Sequence, residues 1–237
     1  MIPWLDAHST YFPAVDTALD EPNGLLAAGG DLSPARLISA YSQGIFPWYN
    51  PGEPILWWSP DPRCTLRPGD IRISRSLRKT IRRSQFELCF DRDFAAVIAA
   101  CAAPRAYCDS TWISPEMQRA YLALHRRGIA HSVELRIDGQ LAGGLYGIAM
   151  GRLFFGESMF SRQRDTSKIA FVFLAKQLQK WGYALIDCQV HNEHLTSLGA
   201  GNISRTDFQH YLGKYLTQPS HHEWTFDIDK EYVVTSE

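Results

Sequence analysis

Segments with a helical hydrophobic period and strand-like segments follow one another between residues 75 and 216, which predicts helices and strands in turn along the chain. The predicted helices span residues 75–84, 93–103, 114–128, 166–181 and 205–216. The predicted strands span residues 86–90, 131–137, 140–149, 152–160 and 183–190. Asp138-Gly139 and Gly151 mark turns between three successive strands, so these strands form an antiparallel meander. We therefore predict an α+β fold with helices packed on a mainly antiparallel sheet.

The first part of the chain has a different pattern. Ser33 and Pro34 predict the start of a helix that Gly44 ends. An irregular segment with five aromatic residues follows at 46–58. We expect most of these rings to form the core of a small domain, and one or two of them to line a site that stacks a flat ligand such as a base.

Charge divides the chain near residue 62. Residues 1–62 hold seven acidic side chains and one basic one, whereas residues 63–83 hold eight basic side chains and one acidic one. Pro60 and Pro62 also interrupt regular structure there. We therefore predict one domain at 1–62 and another at 63–237. Over all 237 residues the net charge is −1, so binding of nucleic acid would need a local basic patch.

Other features narrow the class of protein. No run of about 18 apolar residues occurs, and the N-terminus lacks the pattern of a secretory signal, so we expect no membrane association. The cysteines show no close-paired spacing, which predicts free thiols in a reducing compartment and hence a cytoplasmic protein. They are Cys64, Cys89, Cys101, Cys108 and Cys188. His191 and His194 lack further spaced ligands, so we expect no metal site.

Five basic side chains fall on one side of the helix predicted at 75–84. They are Arg75, Arg78, Lys79, Arg82 and Arg83. A solvated face is the ordinary explanation of such a pattern. Here no acidic residue lies between Ile71 and Gln85, so the cations repel one another. This favours phosphate binding, which attracts any polyanion and carries no sequence information.

Two predicted strands carry polar side chains on one face. Alternation places Asp187 and Gln189 together on the last strand. On the strand before the long helix it places three side chains together: Glu157, Met159 and Ser161. A solvated strand face explains either pattern, but the last strand follows a long helix and should be central in the sheet, which favours a site. An acid, a soft apolar group and a hydroxyl also suit a pocket for a mixed ligand.

Common nucleotide-binding and hydrolase motifs are absent from the sequence. We find no G-x-x-x-x-G-K-[ST], no strand-linked G-x-G-x-x-G and no G-x-S-x-G. The order of meander, helix and strand is similar to the acetyltransferase-like fold of the GNAT superfamily. Members that bind acetyl-CoA hold its pyrophosphate in a glycine-containing loop between a strand and a helix. Residues 161–168 form that junction here and contain no glycine, which disfavours a CoA donor.

Ordered motifs along the chain resemble one bacterial family. The motifs are Glu21-Pro22-Asn23-Gly24-Leu25-Leu26-Ala27, Gly29-Gly30-Asp31-Leu32-Ser33-Pro34, Gly44-Ile45-Phe46-Pro47-Trp48, Trp57-Trp58-Ser59-Pro60-Asp61-Pro62-Arg63, Thr111-Trp112-Ile113, Gly156-Glu157-Ser158-Met159-Phe160-Ser161 and Ile186-Asp187-Cys188-Gln189. Over roughly residues 10–215 the chain closely resembles the leucyl/phenylalanyl-tRNA–protein transferases. The resemblance implies a small N-terminal α/β domain, a GNAT-like C-terminal domain and no cofactor.

The resemblance also implies an activity and a set of site residues. Such an enzyme moves Leu, Phe or sometimes Met from aminoacyl-tRNA to proteins with N-terminal Arg or Lys, which marks those proteins for degradation. By position, Asp187 and Gln189 match the proposed catalytic pair of the family, and Arg82 and Arg83 match basic residues implicated in tRNA binding. Trp48 and Trp112 match aromatic residues around the terminal adenosine of the tRNA. Five further positions match residues in or beside the aminoacyl pocket: Leu145, Glu157, Met159, Ser161 and Ile186.

These assignments lead to a chemical hypothesis. An amide oxygen is too weak a base to deprotonate an amine, so we expect Gln189 to orient the attacking amine through its carbonyl oxygen. Asp187 would fix Gln189 and offset the positive charge that develops on nitrogen. Glu157 is one candidate partner for the basic side chain of the acceptor. We expect a monomer. The alternatives are a GNAT-like acyltransferase with another donor and a non-catalytic tRNA-binding module.

Overall fold

A small sheet occupies the N-terminal part of the chain. The computed structural model describes residues 2–104, 111–220 and 222–235. The strands of the small sheet are β1 (Trp4–Leu5), β2 (Leu25–Gly29), β3 (Phe46–Pro47) and β4 (Leu56–Trp58), in the order β1-β2-β4-β3. Helix α1 (Pro34–Ser42) begins where the sequence predicts, because Ser33 Oγ accepts the backbone amide of Arg36 and Pro34 occupies the first position.

A second, larger sheet carries the C-terminal part of the chain. Its strands are β5 (Arg63–Leu66), β6 (Glu87–Phe90), β7 (Ala130–Ile137), β8 (Gln140–Met150), β9 (Leu153–Ser161), β10 (Leu185–Gln189) and β11 (Gly201–Ile203). Their order is β11-β5-β10-β9-β8-β7-β6, and neighbouring strands are antiparallel except for the parallel pair β9 and β10. Helix α5 (Thr166–Lys180) makes the connection between those two. The predicted α+β class and the predicted order of meander, helix and strand are confirmed.

Helices cover both faces of the large sheet. In the described residues they are, besides α1 and α5, α2 (Arg75–Arg83), α3 (Phe94–Ala102), α4 (Pro115–His125), α6 (Glu193–Thr196), α7 (Arg205–Tyr215) and α8 (Lys230–Thr235). Phe155 belongs to a first core with α1, α3, α4 and α7, and its neighbour Phe154 belongs to a second core with α2, α5 and α8. Because successive strand residues point to opposite faces, the two cores lie on opposite sides of the sheet. None of the described helices has both the length and the apolar character that crossing a membrane requires.

The boundary predicted at residue 62 falls between the two sheets. Strand β4 ends at Trp58 and β5 begins at Arg63. The first core nevertheless contains buried side chains from both sides of that boundary, such as Tyr41 on α1 and Tyr121 on α4. The division into domains at 1–62 and 63–237 therefore stays a prediction, while the N-terminal segment packs directly against the helices of the large sheet.

Candidate active site

A cavity of about 930 Å³ opens beside the parallel strands β9 and β10. Its volume lies in the range of small-molecule pockets. Phe46 and Trp48 of the N-terminal segment and Phe171 of α5 contribute to its wall. The structure brings to this cavity all the side chains predicted as catalytic or substrate-binding: Trp48, Trp112, Leu145, Glu157, Met159, Ser161, Ile186, Asp187 and Gln189.

Asp187 lies at the cavity wall in a buried ion pair with Arg63. The guanidinium donates from Nε to Oδ1 at 2.8 Å and from Nη2 to Oδ2 at 2.7 Å, and neither side chain is more than 2% exposed. Arg63 Nη1 also donates to the carbonyl oxygen of Gly44 at 3.1 Å, and its guanidinium lies over the rings of Phe46 and Phe208. The charge of Asp187 is therefore neutralised within the protein.

Gln189 ends β10 with a backbone φ of 63°, in the left-handed region that glycine favours. The pairing of β10 shifts register between Asp187 and Gln189, and the backbone N–H of Gln189 donates to Asp187 Oδ1 at 2.9 Å. The side-chain Nε2 donates instead to Glu157 Oε1 at 2.9 Å. Within the described residues the carbonyl oxygen of this side chain has no donor. Asp187 therefore fixes Gln189 through its backbone, while Glu157, which the sequence did not pair with Gln189, holds its side-chain amide.

Glu157 forms a compact hydrogen-bonded group with two buried tyrosines. Tyr41 donates to Oε1 and Tyr121 donates to Oε2, each at 2.7 Å, while the two hydroxyl oxygens lie 2.5 Å apart. Three short contacts among oxygens need three hydrogens, of which the hydroxyls supply two. When Glu157 is protonated, its hydroxyl can donate to one tyrosine, which is then free to donate to the other tyrosine, and the set is complete. Burial raises the pKa of Glu157 to about 7, although the bonds from Tyr121 and Tyr41 oppose this shift. Glu157 is therefore poised to change charge near neutral pH.

A β-bulge changes the predicted face of β9. Tyr146 pairs with Ser158 and Gly147 pairs with Gly156, so Glu157 is left without a partner on β8. One extra residue reverses the faces of the side chains that follow it. The expectation that Glu157, Met159 and Ser161 share a face is wrong for this reason.

Beyond the bulge, the two later side chains lie on the other side of the sheet from the Glu157 carboxylate. Met159 packs against the second core. Ser161 donates to Ser167 Oγ at 2.8 Å and accepts the backbone amide of that residue at 3.0 Å, which fixes the start of α5. All three side chains still reach the same cavity, which extends past the edge where β9 and β10 separate.

The cavity combines an apolar part with an aromatic rim. Leu145 and Ile186 line it and are no more than 2% exposed, and Phe171 of α5 lies beside them. Trp48 is 46% exposed, and its ring centroid lies 5.8 Å from that of Trp58. In the ranges that the structure describes, no three His, Cys, Asp or Glu side chains are grouped to hold a metal ion.

The predicted basic face of α2 is largely present. Arg75, Lys79, Arg82 and Arg83 are exposed, whereas Leu77 and Ile81 of the opposite side are buried. Arg78, which was predicted to bind phosphate with the other four, is instead engaged within the protein. Its guanidinium donates to the backbone carbonyl oxygens of Ile73 and Val234, so it holds α8 against α2.

Sequence reasoning missed three residues of the site. Arg63 stood within a recognised motif, but nothing in that motif pairs it with Asp187, which lies 124 positions away. Tyr41 and Tyr121 have the spacing of ordinary core residues on amphipathic helices. Their function as hydrogen-bond donors becomes visible only when the fold brings α1 and α4 to β9.

Solved structures with similar topology are distant in sequence. A GCN5-related N-acetyltransferase from Kribbella flavida aligns with a TM-score of 0.39 and 12% identity, over 70% of this chain and 60% of that chain. L-PGS from Bacillus licheniformis aligns with a TM-score of 0.41 and 10% identity, over 65% of this chain and 50% of that chain.

Comparison with known protein families defines the class of this protein, which is that of the transferases. Models of the leucyl/phenylalanyl-tRNA protein transferase family and of its N-terminal domain match residues 65–213 and 30–61. A leucyl/phenylalanyl-tRNA–protein transferase of Pseudomonas putida is 59% identical over 94% of this chain and 99% of its own. One of Azotobacter vinelandii is 58% identical over the same shares. The chain belongs to the leucyl/phenylalanyl-tRNA–protein transferase family.

Proposed function

We propose that this protein moves Leu, Phe or Met from aminoacyl-tRNA to the α-amino group of proteins that begin with Arg or Lys, so that the product carries a destabilising N-terminus. Family membership supports an aminoacyl-tRNA donor and a protein acceptor. The observation that carries the proposal is the geometry of Gln189. Its amide is anchored on Glu157, and its carbonyl oxygen is left available beside an apolar pocket.

The proposed reaction needs placement more than activation. The carbon–oxygen bond of an aminoacyl ester is already reactive, so the amine nitrogen can attack the carbonyl carbon without ATP. The new carbon–nitrogen bond forms, the bond to the ribose oxygen breaks, and the amine proton passes to that oxygen. An α-amino group has a pKa of about 7.7–8, so a useful fraction is neutral at pH 7. Correct placement of the two reactants can supply roughly 7–11 kcal/mol.

Gln189 and Glu157 act together in this scheme. The carbonyl oxygen of Gln189 accepts a hydrogen bond from the attacking amine and orients its lone pair toward the ester. An ionised Glu157 behind the amide offsets the positive charge that develops on the nitrogen. Asp187 is a positioning residue, because its charge is compensated by Arg63 and its Oδ1 holds the backbone of Gln189.

The apolar part of the cavity gives the donor preference. Leu145, Met159 and Ile186 would surround the side chain of Leu, Phe or Met. Branched side chains that widen at the first carbon fit such a pocket less well, although each methylene is worth only about 1–3 kcal/mol. Trp48 and Trp112 at the rim would stack on the terminal adenosine of the tRNA.

The acceptor needs a negative partner for its Arg or Lys side chain. Glu157 and Asp187 are the acidic residues among the described lining of the cavity. Asp187 is paired with Arg63, whereas the described partners of Glu157 are uncharged. We therefore assign to Glu157 the negative potential that attracts the acceptor side chain, in addition to its contact with Gln189.

Two finer proposals complete this description. One copy of the chain supplies every predicted site residue, which supports a monomer. Cys64, Cys89, Cys101 and Cys188 are free thiols, which supports the cytoplasm, and Cys108 lies outside the described residues.

A transfer assay tests the proposed function. With labelled leucyl-tRNA, the protein is expected to label a peptide that begins with Arg and to leave unlabelled a matched peptide that begins with Gly. A requirement for a CoA thioester would instead support an acyltransferase with another donor. Binding of charged and uncharged tRNA alike without any labelled peptide would support the tRNA-binding module.

Glu157→Gln is expected to remove one ionisation from the pH dependence of kcat. In the unaltered protein kcat should rise as Glu157 ionises through its pKa of about 7. Without that charge kcat at pH 8 should fall about tenfold, a barrier change of about 1.4 kcal/mol, and at pH 6 it should change much less. Steady-state transfer to the Arg peptide between pH 5.5 and 9 measures this.

Tyr41→Phe provides the matched control for that experiment. It removes a hydrogen bond that lowers the pKa of Glu157, so the same ionisation should move to higher pH rather than disappear. If the rise of kcat near pH 7 is unchanged in Glu157→Gln, a group other than Glu157 titrates there.

A further inference from the structure

A second cavity, of about 520 Å³, lies between α2 and the turn that joins β9 to α5. We call it the α2 cleft. Helix α2 contributes Lys79 and the hydroxyl side chains of Ser76 and Thr80, and the turn contributes Gln163 and Arg164. The chemistry at Gln189 makes no use of this cleft, and of its polar lining only Lys79 has so far a predicted function, as part of the basic face of α2.

The cations of the α2 cleft are not neutralised. Lys79 makes no ion pair or hydrogen bond within the described residues. Arg164 is 91% exposed, and its Nε reaches Asp165 Oδ2 at 3.5 Å. Gln163 is exposed as well, and its side-chain amide has no partner in the described part of the chain. Two cations therefore face one carboxylate in a protein whose net charge is −1, and such a local excess attracts an anion.

The α2 cleft and the active-site cavity are lined by neighbouring residues of one turn. Ser161, Arg162 and Ser167 line that cavity, and residues 163–166 between them line the cleft. On its other side the cleft reaches the exposed basic face of α2 through Lys79. Consider a nucleic-acid strand that has its end in the active site and crosses this turn. It contacts the cleft first and then the basic face of α2.

We propose that the α2 cleft holds a phosphodiester of the single-stranded 3′ end of the donor tRNA, just before the aminoacylated adenosine. The proposal rests on the proposed function. Lys79 and Arg164 pair with the phosphate oxygens, and the amide of Gln163 donates a hydrogen bond to them. Contacts to phosphate position a strand without reading its bases. The cleft thus keeps the 3′ ends of different donor tRNAs in one register relative to Gln189.

The test compares two donors, leucyl-tRNA and leucyl-adenosine, because the second lacks the phosphates that would occupy the cleft. Lys79→Ala/Arg164→Ala is expected to raise the KM for leucyl-tRNA about tenfold relative to the KM for leucyl-adenosine. The slope of log(kcat/KM) against log salt for leucyl-tRNA should also become shallower by about 1.

Arg126→Ala/Arg127→Ala is the matched control. These two exposed cations precede β7, whereas Ile137 at its other end lines the cleft. The seven residue steps from Ala130 to Ile137 along β7 separate the two places by about 23 Å. The control should leave the ratio of the two KM values unchanged.

Two results would overturn the proposal. The first is that Lys79→Ala/Arg164→Ala leaves the ratio of the KM for leucyl-tRNA to the KM for leucyl-adenosine unchanged. The second is that this ratio rises equally in the control variant. Competition of coenzyme A with leucyl-tRNA that requires Lys79 and Arg164 would instead assign the cleft to a nucleotide pyrophosphate. If the unaltered protein transfers leucine from neither donor, the proposed function fails by itself. In that case the dissociation constant of tRNA replaces KM as the test of the cleft. It is measured for the unaltered protein, for Lys79→Ala/Arg164→Ala and for Arg126→Ala/Arg127→Ala.

Discussion

Replacing Gln189 with alanine is expected to slow transfer about 100-fold at saturating donor and acceptor. The loss follows because the amine would no longer be held against the ester, and misplacement of a reactant by about 1 Å can cost this factor. The pocket for the aminoacyl group is formed by other side chains, so the dissociation constant of leucyl-tRNA should stay within about twofold. Single-turnover labelling of an Arg peptide measures the rate, and filter binding measures the affinity.

Gln189→Glu separates orientation from base catalysis. The new carboxylate would lie so close to Glu157 that repulsion between two negative charges keeps one of the two acids protonated. The new side chain also lacks the amide hydrogens through which Gln189 is anchored to Glu157. If Gln189 acts by orientation, this variant should be as slow as Gln189→Ala at every pH. A variant that gains tenfold or more over Gln189→Ala as the pH rises would mean that position 189 works as a base.

Breaking the buried ion pair should have the largest effect on stability. Arg63→Met leaves Asp187 buried without a cation and removes the contacts of the guanidinium with Gly44 and two aromatic rings. The free energy of unfolding should fall by about 3–5 kcal/mol. Urea unfolding followed by tryptophan fluorescence measures this change, provided that the transition is two-state.

The double variant Arg63→Met/Asp187→Leu tests what the pair contributes to the site. Apolar replacement of a whole buried pair is often neutral, so most of the lost stability should return. Transfer should remain about 100-fold slow, because the backbone N–H of Gln189 would have lost its acceptor on Asp187. Recovery of both stability and transfer would show that Gln189 keeps its position without Asp187.

Local chemistry explains which parts of the fold could be predicted from the sequence. Helix α2 starts at its expected place because Ser74 Oγ accepts the backbone amide of Leu77. The long strands β7 to β9 could be recognised because the turns at Asp138-Gly139 and Gly151 separate three strand-like runs. Strand β5 is only four residues long and all four are buried, so it has no alternation to detect. Its partners, β10 and β11, lie more than 100 residues further along the chain.

The same distinction applies to the candidate site. Asp187 and Gln189 were recognisable as a polar pair on an otherwise apolar strand. The bulge at Glu157 could not be recognised in the sequence, because one unpaired residue in β9 does not change the hydrophobic pattern. Tyr41 donates to a carboxylate 116 positions away, and periodicity contains no information about such a contact.

The hydroxyl of Tyr41 and the carbonyl of Gly44 have a consequence for any attempt to shorten this protein. Both groups belong to the first 62 residues, and both support side chains that carry the proposed chemistry. A truncated enzyme that starts at Arg63 would keep Gln189 and its strand but expose the supports behind them to water. The proposed catalytic centre thus depends on side chains and backbone groups from both parts of the chain, and neither part is expected to be active without the other.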